Sequence, residues 1–285
     1  MDDVMLFRII LYQLVRWRTF CLYVASMILL LSCASRNYER IKELHDNRDY
    51  QQIADSKIDC SDYSARCFQI KLLQADSHYR LGNLEEALSY SQEALDRQEK
   101  VKDIKSLNRL HLLRAGLIFE LLPEMIKAAD KLEALNQLES QLRQTLERNS
   151  KSTDNDTLKL QQQELMLWLG ETLLAEMDLA EDENLKLILQ EIKELTSTFP
   201  DNLLQEGYEK YFLLQGELRS LLPQIRTWMS RGTVMGGREQ LLEKLKGIYT
   251  EGITLRRLPL YEASYGEKID LFLSQLDQYM KGMVL

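Results

Sequence analysis

The chain has 285 residues, 45% of them hydrophobic, with only 12 Gly and 4 Pro; this supplies a core and favours long helices over a turn-dense sandwich or barrel. The formal charge is −8, and residues 1–32 carry Asp2, Asp3, Arg8, Arg16 and Arg18, a net of +1, which leaves −9 on the body. That balance excludes a nucleic-acid partner, whose phosphates need a basic face, and electrostatic adhesion to anionic lipid.

The first segment reads as an address. Arg8, Arg16 and Arg18 are followed by Phe20–Leu31 (FCLYVASMILLL), twelve residues without a charge, and then by small residues around Cys33. A cationic start, an apolar run of this length and a small-residue exit form a secretory signal pattern. Twelve residues rise only ~18 Å as a helix, short of the ~30 Å hydrocarbon core, so a spanning helix is disfavoured. Leu30-Leu31-Ser32-Cys33 resembles the lipobox of bacterial lipoproteins, with Leu rather than a small residue at the second-last position before the cysteine. The resemblance implies a signal peptide over 1–32 and a diacylglycerol and fatty-acyl (palmitate-type) anchor on Cys33. Ala34, where retained lipoproteins carry Asp, implies the outer membrane.

Asn47-Arg48-Asp49-Tyr50 reads as a turn between two short helices, a capping half-repeat over 36–57. Cys60 and Cys67 then form an even pair in a compartment that permits disulfides. On one helix they would stand ~10 Å apart, too far to bridge. Asp59-Cys60-Ser61-Asp62 reads as loop and N-cap, so Cys60 outside the helix can fold back; a bridge and two free thiols are both open.

Residues 68–96 (FQIKLLQADSHYRLGNLEEALSYSQEALD) carry small Ala75 in a first helix, Tyr79 near its end, Gly82-Asn83 at a turn, and Leu84, Ala87 and Ala94 in a second. Small residues at Ala75 and Ala87 let two helices cross closely, and Gly82 accepts a left-handed backbone. The pattern closely resembles one tetratricopeptide repeat. It recurs 41 residues on, with Gly116 at the Ala75 position, Phe119 at His78, Ala128 at Ala87 and Leu135 at Ala94. A fainter copy begins near Gln163, with Trp168-Leu169-Gly170. The resemblance covers about two fifths of the chain and implies an all-α solenoid of helical hairpins over 33–147. Further helical repeats or a C-terminal helical region are expected over 148–285.

Past the polar stretch Asn149–Thr157, helices are expected over 158–178 and 182–198. Another starts at Pro200-Asp201, runs through Tyr208, Tyr211 and Phe212, and is broken or restarted by Pro223. A loop over Arg231–Arg238 precedes two last helices near 238–250 and 258–281.

Chemistry-bearing patterns are sparse. His45, His78 and His111 lie 33 apart, without a second Cys or His at zinc-ligand spacing, so they read as repeat seam or surface residues. Neither a metal nor a cofactor is expected. Gly232, Gly236 and Gly237 lack the following Gly-Lys-Ser/Thr and the preceding strand of a phosphate loop. Glu164, Glu171 and Glu176 offer carboxylates for a glycan-processing enzyme, but charge on exposed helix faces needs no such role. No enzyme is expected. Tyr208, Tyr211, Phe212, Tyr261 and Tyr265 have the spacing of packing residues, which leaves a small-molecule cavity open as an alternative.

Stacked hairpins present a concave face. The resemblance places Gln69, Leu72, Asp76, Tyr79 and Arg80 on it in the first full repeat, and Leu110, Leu113, Leu117 and Glu120 in the next. The second set is strongly apolar and needs a cover, from a partner helix or from this chain's own C-terminal helices. The implied function is a lipid-anchored adaptor or scaffold, facing the periplasm or the cell surface. Its partners would be envelope proteins or peptides of pilus-secretin, barrel-assembly or cell-wall machinery. A ligand-binding component of a transporter, with homo-oligomers allowed, is the alternative.

Overall fold

The computed structural model describes residues 36–56, 58, 60, 64–150, 156–232 and 237–284; the expected signal segment, Cys33 and residues 151–155 of the polar stretch lie outside them. The described residues are mostly helical, and none of them is in a strand. None of their helices is long and apolar enough to cross a membrane. The chain divides into two compact units, one ending at Ser106 and one starting at Leu107.

In the first unit, α1 (36–46) and α2 (Tyr50–Ala54) meet at the Asn47–Asp49 turn, where Asp49 accepts from the Gln52 backbone N–H. Their Ile41 and Ile53 are buried with Cys60, Cys67, Ile70 and Leu73. Helix α3 (Ala65–Arg80) is capped by Ser64, whose Oγ accepts from the Cys67 N–H at 3.1 Å. The cap thus falls beyond the expected Asp59–Asp62 loop. Cys60 lies outside the helix and is bonded through sulfur to Cys67, with Cα atoms 5.6 Å apart.

Helix α3 ends on Gly82 at φ +78°. The Asn83 N–H reaches the His78 carbonyl (2.9 Å) and the Gly82 N–H reaches that of Tyr79 (3.0 Å), the paired bonds of a Schellman stop. This reverses the chain into α4 (Leu84–Leu95), which packs closely on α3. Ala75, Ala87 and Ala94 are fully buried, as such a close crossing requires.

The second unit takes most of α5 (Ile104–Leu121), then α6 (Ala128–Asn149), α7 (Asp156–Leu179) and α8 (Leu185–Thr196). These are followed by α9 (Asp201–Glu206), α10 (Tyr208–Arg231), α11 (Arg238–Leu255) and α12 (Gly266–Val284). One core runs through them, from Ala115 and Ile118 of α5 to Phe272 and Leu276 of α12. Helices α7 and α10 lie at its centre: α7 packs on α6, α8 and α10, and α10 also on α11 and α12. The 41-residue register is kept at Leu135, buried like its match Ala94, but not at Ala128, which is exposed at the start of α6 while its match Ala87 is buried.

Two expected helix ends move. The break comes at Gly207, with φ +96°, which separates α9 from α10. Helix α10 continues through Pro223, because buried Leu221 and Ile225 hold both sides of that turn in the core. Between α11 and α12, Tyr261–Tyr265 form one wide irregular turn, with Ser264 in the left-handed region at φ +73°.

Candidate functional site

Within each compact unit, the apolar residues expected to line a groove are buried. Leu72, Leu110 and Leu117 are no more than 1% exposed and Leu113 is buried, so these four belong to the core, not to an open face. An apolar stripe of this kind cannot stay in water without cover, which is why burial overrides the pattern. The polar members are engaged as well. Gln69 donates to Ser106 Oγ (2.7 Å), and buried Asp76 meets His45 Nε2 (2.5 Å) and Arg80 Nε (3.2 Å). Tyr79 is half-buried; Arg80 and Glu120 are exposed.

The histidines do not converge. His45 is paired with Asp76, His78 stacks on Tyr90 at 5.1 Å, and His111 is buried with both ring nitrogens unpartnered. Burial, beside Arg114 and Arg148, lowers the His111 pKa to about 4 and keeps it neutral. No group of His, Cys, Asp or Glu among the described residues could hold a metal ion.

The three glutamates of α7 separate onto two sides of the helix. Glu164 and Glu171, two turns apart, share one face and line a cavity of about 320 Å³ with Trp168, Tyr208, Tyr265 and Lys268. There Lys268 Nζ holds Glu171 at 2.7 Å, and burial raises the Glu164 pKa. Tyr208 and Tyr211 each meet Tyr265 edge to face, at 5.2 and 5.0 Å, so most of this aromatic set packs on itself. Glu176 therefore does not share a groove with Glu164 and Glu171.

Glu176 points the other way, into a larger groove of about 640 Å³ between α6, α7 and α8. Leu132 of α6, Leu179 and Ala180 from the end of α7, and Leu187 and Ile188 of α8 supply apolar walls. Leu187 is 64% exposed, an unusual position for a large aliphatic side chain. Beside this apolar surface stand Glu139, Glu176 and Glu191. Arg143, one turn after Glu139, bridges the outer two: Nε to Glu139 at 2.5 Å and Nη2 to Glu191 at 2.6 Å. Glu176 itself is only 5% exposed, and its Oε1 has no hydrogen-bond partner. Burial first, and then the charges of Glu139 and Glu191, push its pKa up to about 8, so it is protonated at neutral pH.

Sequence reasoning named Glu176 but not Glu139, Arg143 or Glu191. Glu139 and Arg143 read as an ordinary i,i+4 surface pair, and Glu191 as one more exposed helix charge. Their convergence depends on how α8 lies against α6 and α7, which has no sequence signature. No protein-family model matches the chain, and no curated protein matches it.

Proposed function

We propose that this chain is an outer-membrane lipoprotein, anchored through Cys33, whose helical-hairpin body acts as an adaptor. It holds another envelope protein in the groove between α6, α7 and α8. The observation that carries this reading is an open groove with aliphatic walls, including exposed Leu187, beside a cluster of carboxylates. Apolar surface left open next to polar groups is the usual composition of a protein-binding patch. The α3–α4 hairpin, with its buried alanines and Gly82 stop, supports the tetratricopeptide-like architecture in which such grooves are common.

The test is cross-linking mass spectrometry on membranes carrying the full chain, its Cys33→Ala form and its Leu187→Asp form. The reading expects cross-links from α6 and α8 to one envelope protein, lost with Leu187→Asp. It also expects release of the Cys33→Ala chain from the membrane. Unchanged cross-links in Leu187→Asp would remove the groove from the function, and unchanged anchoring of Cys33→Ala would remove the lipid.

A second reading, a ligand-binding component of a transporter, draws support from the 320 Å³ cavity with Trp168, Tyr208 and Tyr265. That volume and aromatic lining suit a small molecule. Native mass spectra retaining a small molecule, with loss on Trp168→Ala, would favour it.

A further inference from the structure

We propose that the α6–α8 groove recognises the ammonium group of a lysine on the partner protein, with Glu176 as its seat and Glu139 and Glu191 flanking it. The inference deepens the adaptor reading and rests on it for the source of the lysine.

The argument starts from an unpaired atom. A buried carboxyl oxygen without a hydrogen bond is costly, and such atoms in folded proteins call for an explanation. Glu176 Oε1 is one, on a residue that lines an open groove. The charged groups facing it are Glu139 and Arg143 from α6 and Glu191 from α8. From α10, Arg219 is tied to Asp178, which lies about 200° further round α7 and so addresses the opposite side. The local set is three acids and one base, and the base is already shared by Glu139 and Glu191. The missing complement is a cation.

Two features narrow that cation to an alkylammonium. The walls are aliphatic (Leu132, Leu179, Ala180 and Ile188), which suits a methylene stem delivering its charge to the carboxylates. A guanidinium pairs best with both oxygens of an accessible carboxylate, whereas a compact ammonium can bond a single oxygen such as Oε1.

Protonation links to binding. In the free protein the Glu176 carboxyl holds its proton at neutral pH. An arriving ammonium favours the carboxylate, so the proton leaves to solvent as the ion pair forms. Binding at pH 7 is therefore accompanied by proton release.

The experiment is a selection of randomised displayed peptides on the full chain in detergent micelles. Calorimetry of a selected peptide at pH 7 follows, in two buffers of different ionisation enthalpy. Selected sequences are expected to share a lysine between apolar residues. Replacing that lysine by norleucine, which keeps the stem and removes the charge, should weaken binding at least about tenfold. Glu176→Gln resembles the protonated carboxyl in shape, so it preserves the fold; it should abolish the proton release and weaken the lysine peptide. A selection that yields no shared lysine, or no binders, overturns the proposal, as does a norleucine peptide that binds equally well. Spermidine that binds more tightly than the peptide, with the same proton release, reassigns the site to free polyamines and overturns the partner-protein source. Groove cross-links to a partner without a lysine requirement would leave the adaptor reading intact and sink this one alone.

Discussion

Gly170 of α7 and Phe212 of α10 are in such close contact that a Cβ on residue 170 would stand 2.6 Å from Phe212 Cε1. Phe212 is fully buried, so its ring has nowhere to go. The crossing of the two central helices of the second unit is thus set by the absence of one methyl group. Gly170→Ala should destabilise the protein by about 1–3 kcal/mol, the usual cost of overpacking a filled core. Gly247, within α11, has open space where its Cβ would be. Gly247→Ala should gain about 0.5–1 kcal/mol from helix propensity. Urea denaturation of both variants checks the contrast, and equal effects would mean that α7 and α10 are not in contact.

Glu176 should give the stability curve a slope at unusually high pH. Its folded pKa of about 8 lies above the ordinary value of 4.5, so the folded chain binds one more proton than the unfolded chain between those limits. The contribution is fully present below pH 4.5 and is lost as pH rises towards 8, a decline on the order of a few kcal/mol. Glu176→Gln, which cannot ionise, should flatten the curve over that window. Denaturant midpoints measured across it decide the matter.

His111 should act with the opposite sign. Its folded pKa of about 4 lies below the ordinary 6.5, so between these values the unfolded chain binds the extra proton. Its share of stability is present above pH 6.5 and is lost as pH falls towards 4. Both ring nitrogens are unpartnered, so an apolar side chain of similar size leaves no unsatisfied group behind. His111→Leu should therefore be close to neutral at pH 7 and more resistant to acid than the parent. Thermal melts at pH 7 and pH 5 read both.

The Cys60–Cys67 bond closes a short loop onto the cluster of Ile41, Ile53, Ile70 and Leu73. A cross-link over this sequence separation should contribute about 2–3 kcal/mol, mainly by restricting the unfolded chain. Cys60→Ser with Cys67→Ser should show the loss as faster amide exchange in α1–α3. Exchange in α7 and α10, in the other compact unit, should be unchanged. Faster exchange throughout would mean that the two units unfold together.

The sequence by itself determined the all-helical class, because low Gly and Pro content and a sustained helical period leave little room for strands. It also marked the Gly82 stop and the alanines of the α3–α4 crossing, since close approach and a left-handed backbone each restrict the residue type. It misread Pro223, because a proline can sit in a helix whose flanking turns are anchored in a core, and it passed over Gly207. It read Leu72, Leu110, Leu113 and Leu117 as groove residues, because an apolar helical stripe looks the same whether a partner or the chain itself covers it. Only the tertiary structure separated Glu164 and Glu171 from Glu176, and only it brought Glu139, Arg143 and Glu191 to the α7 carboxyl. Helical period says which residues share a face. Which faces meet, and so which charges lose their water, depends on packing between helices distant in sequence.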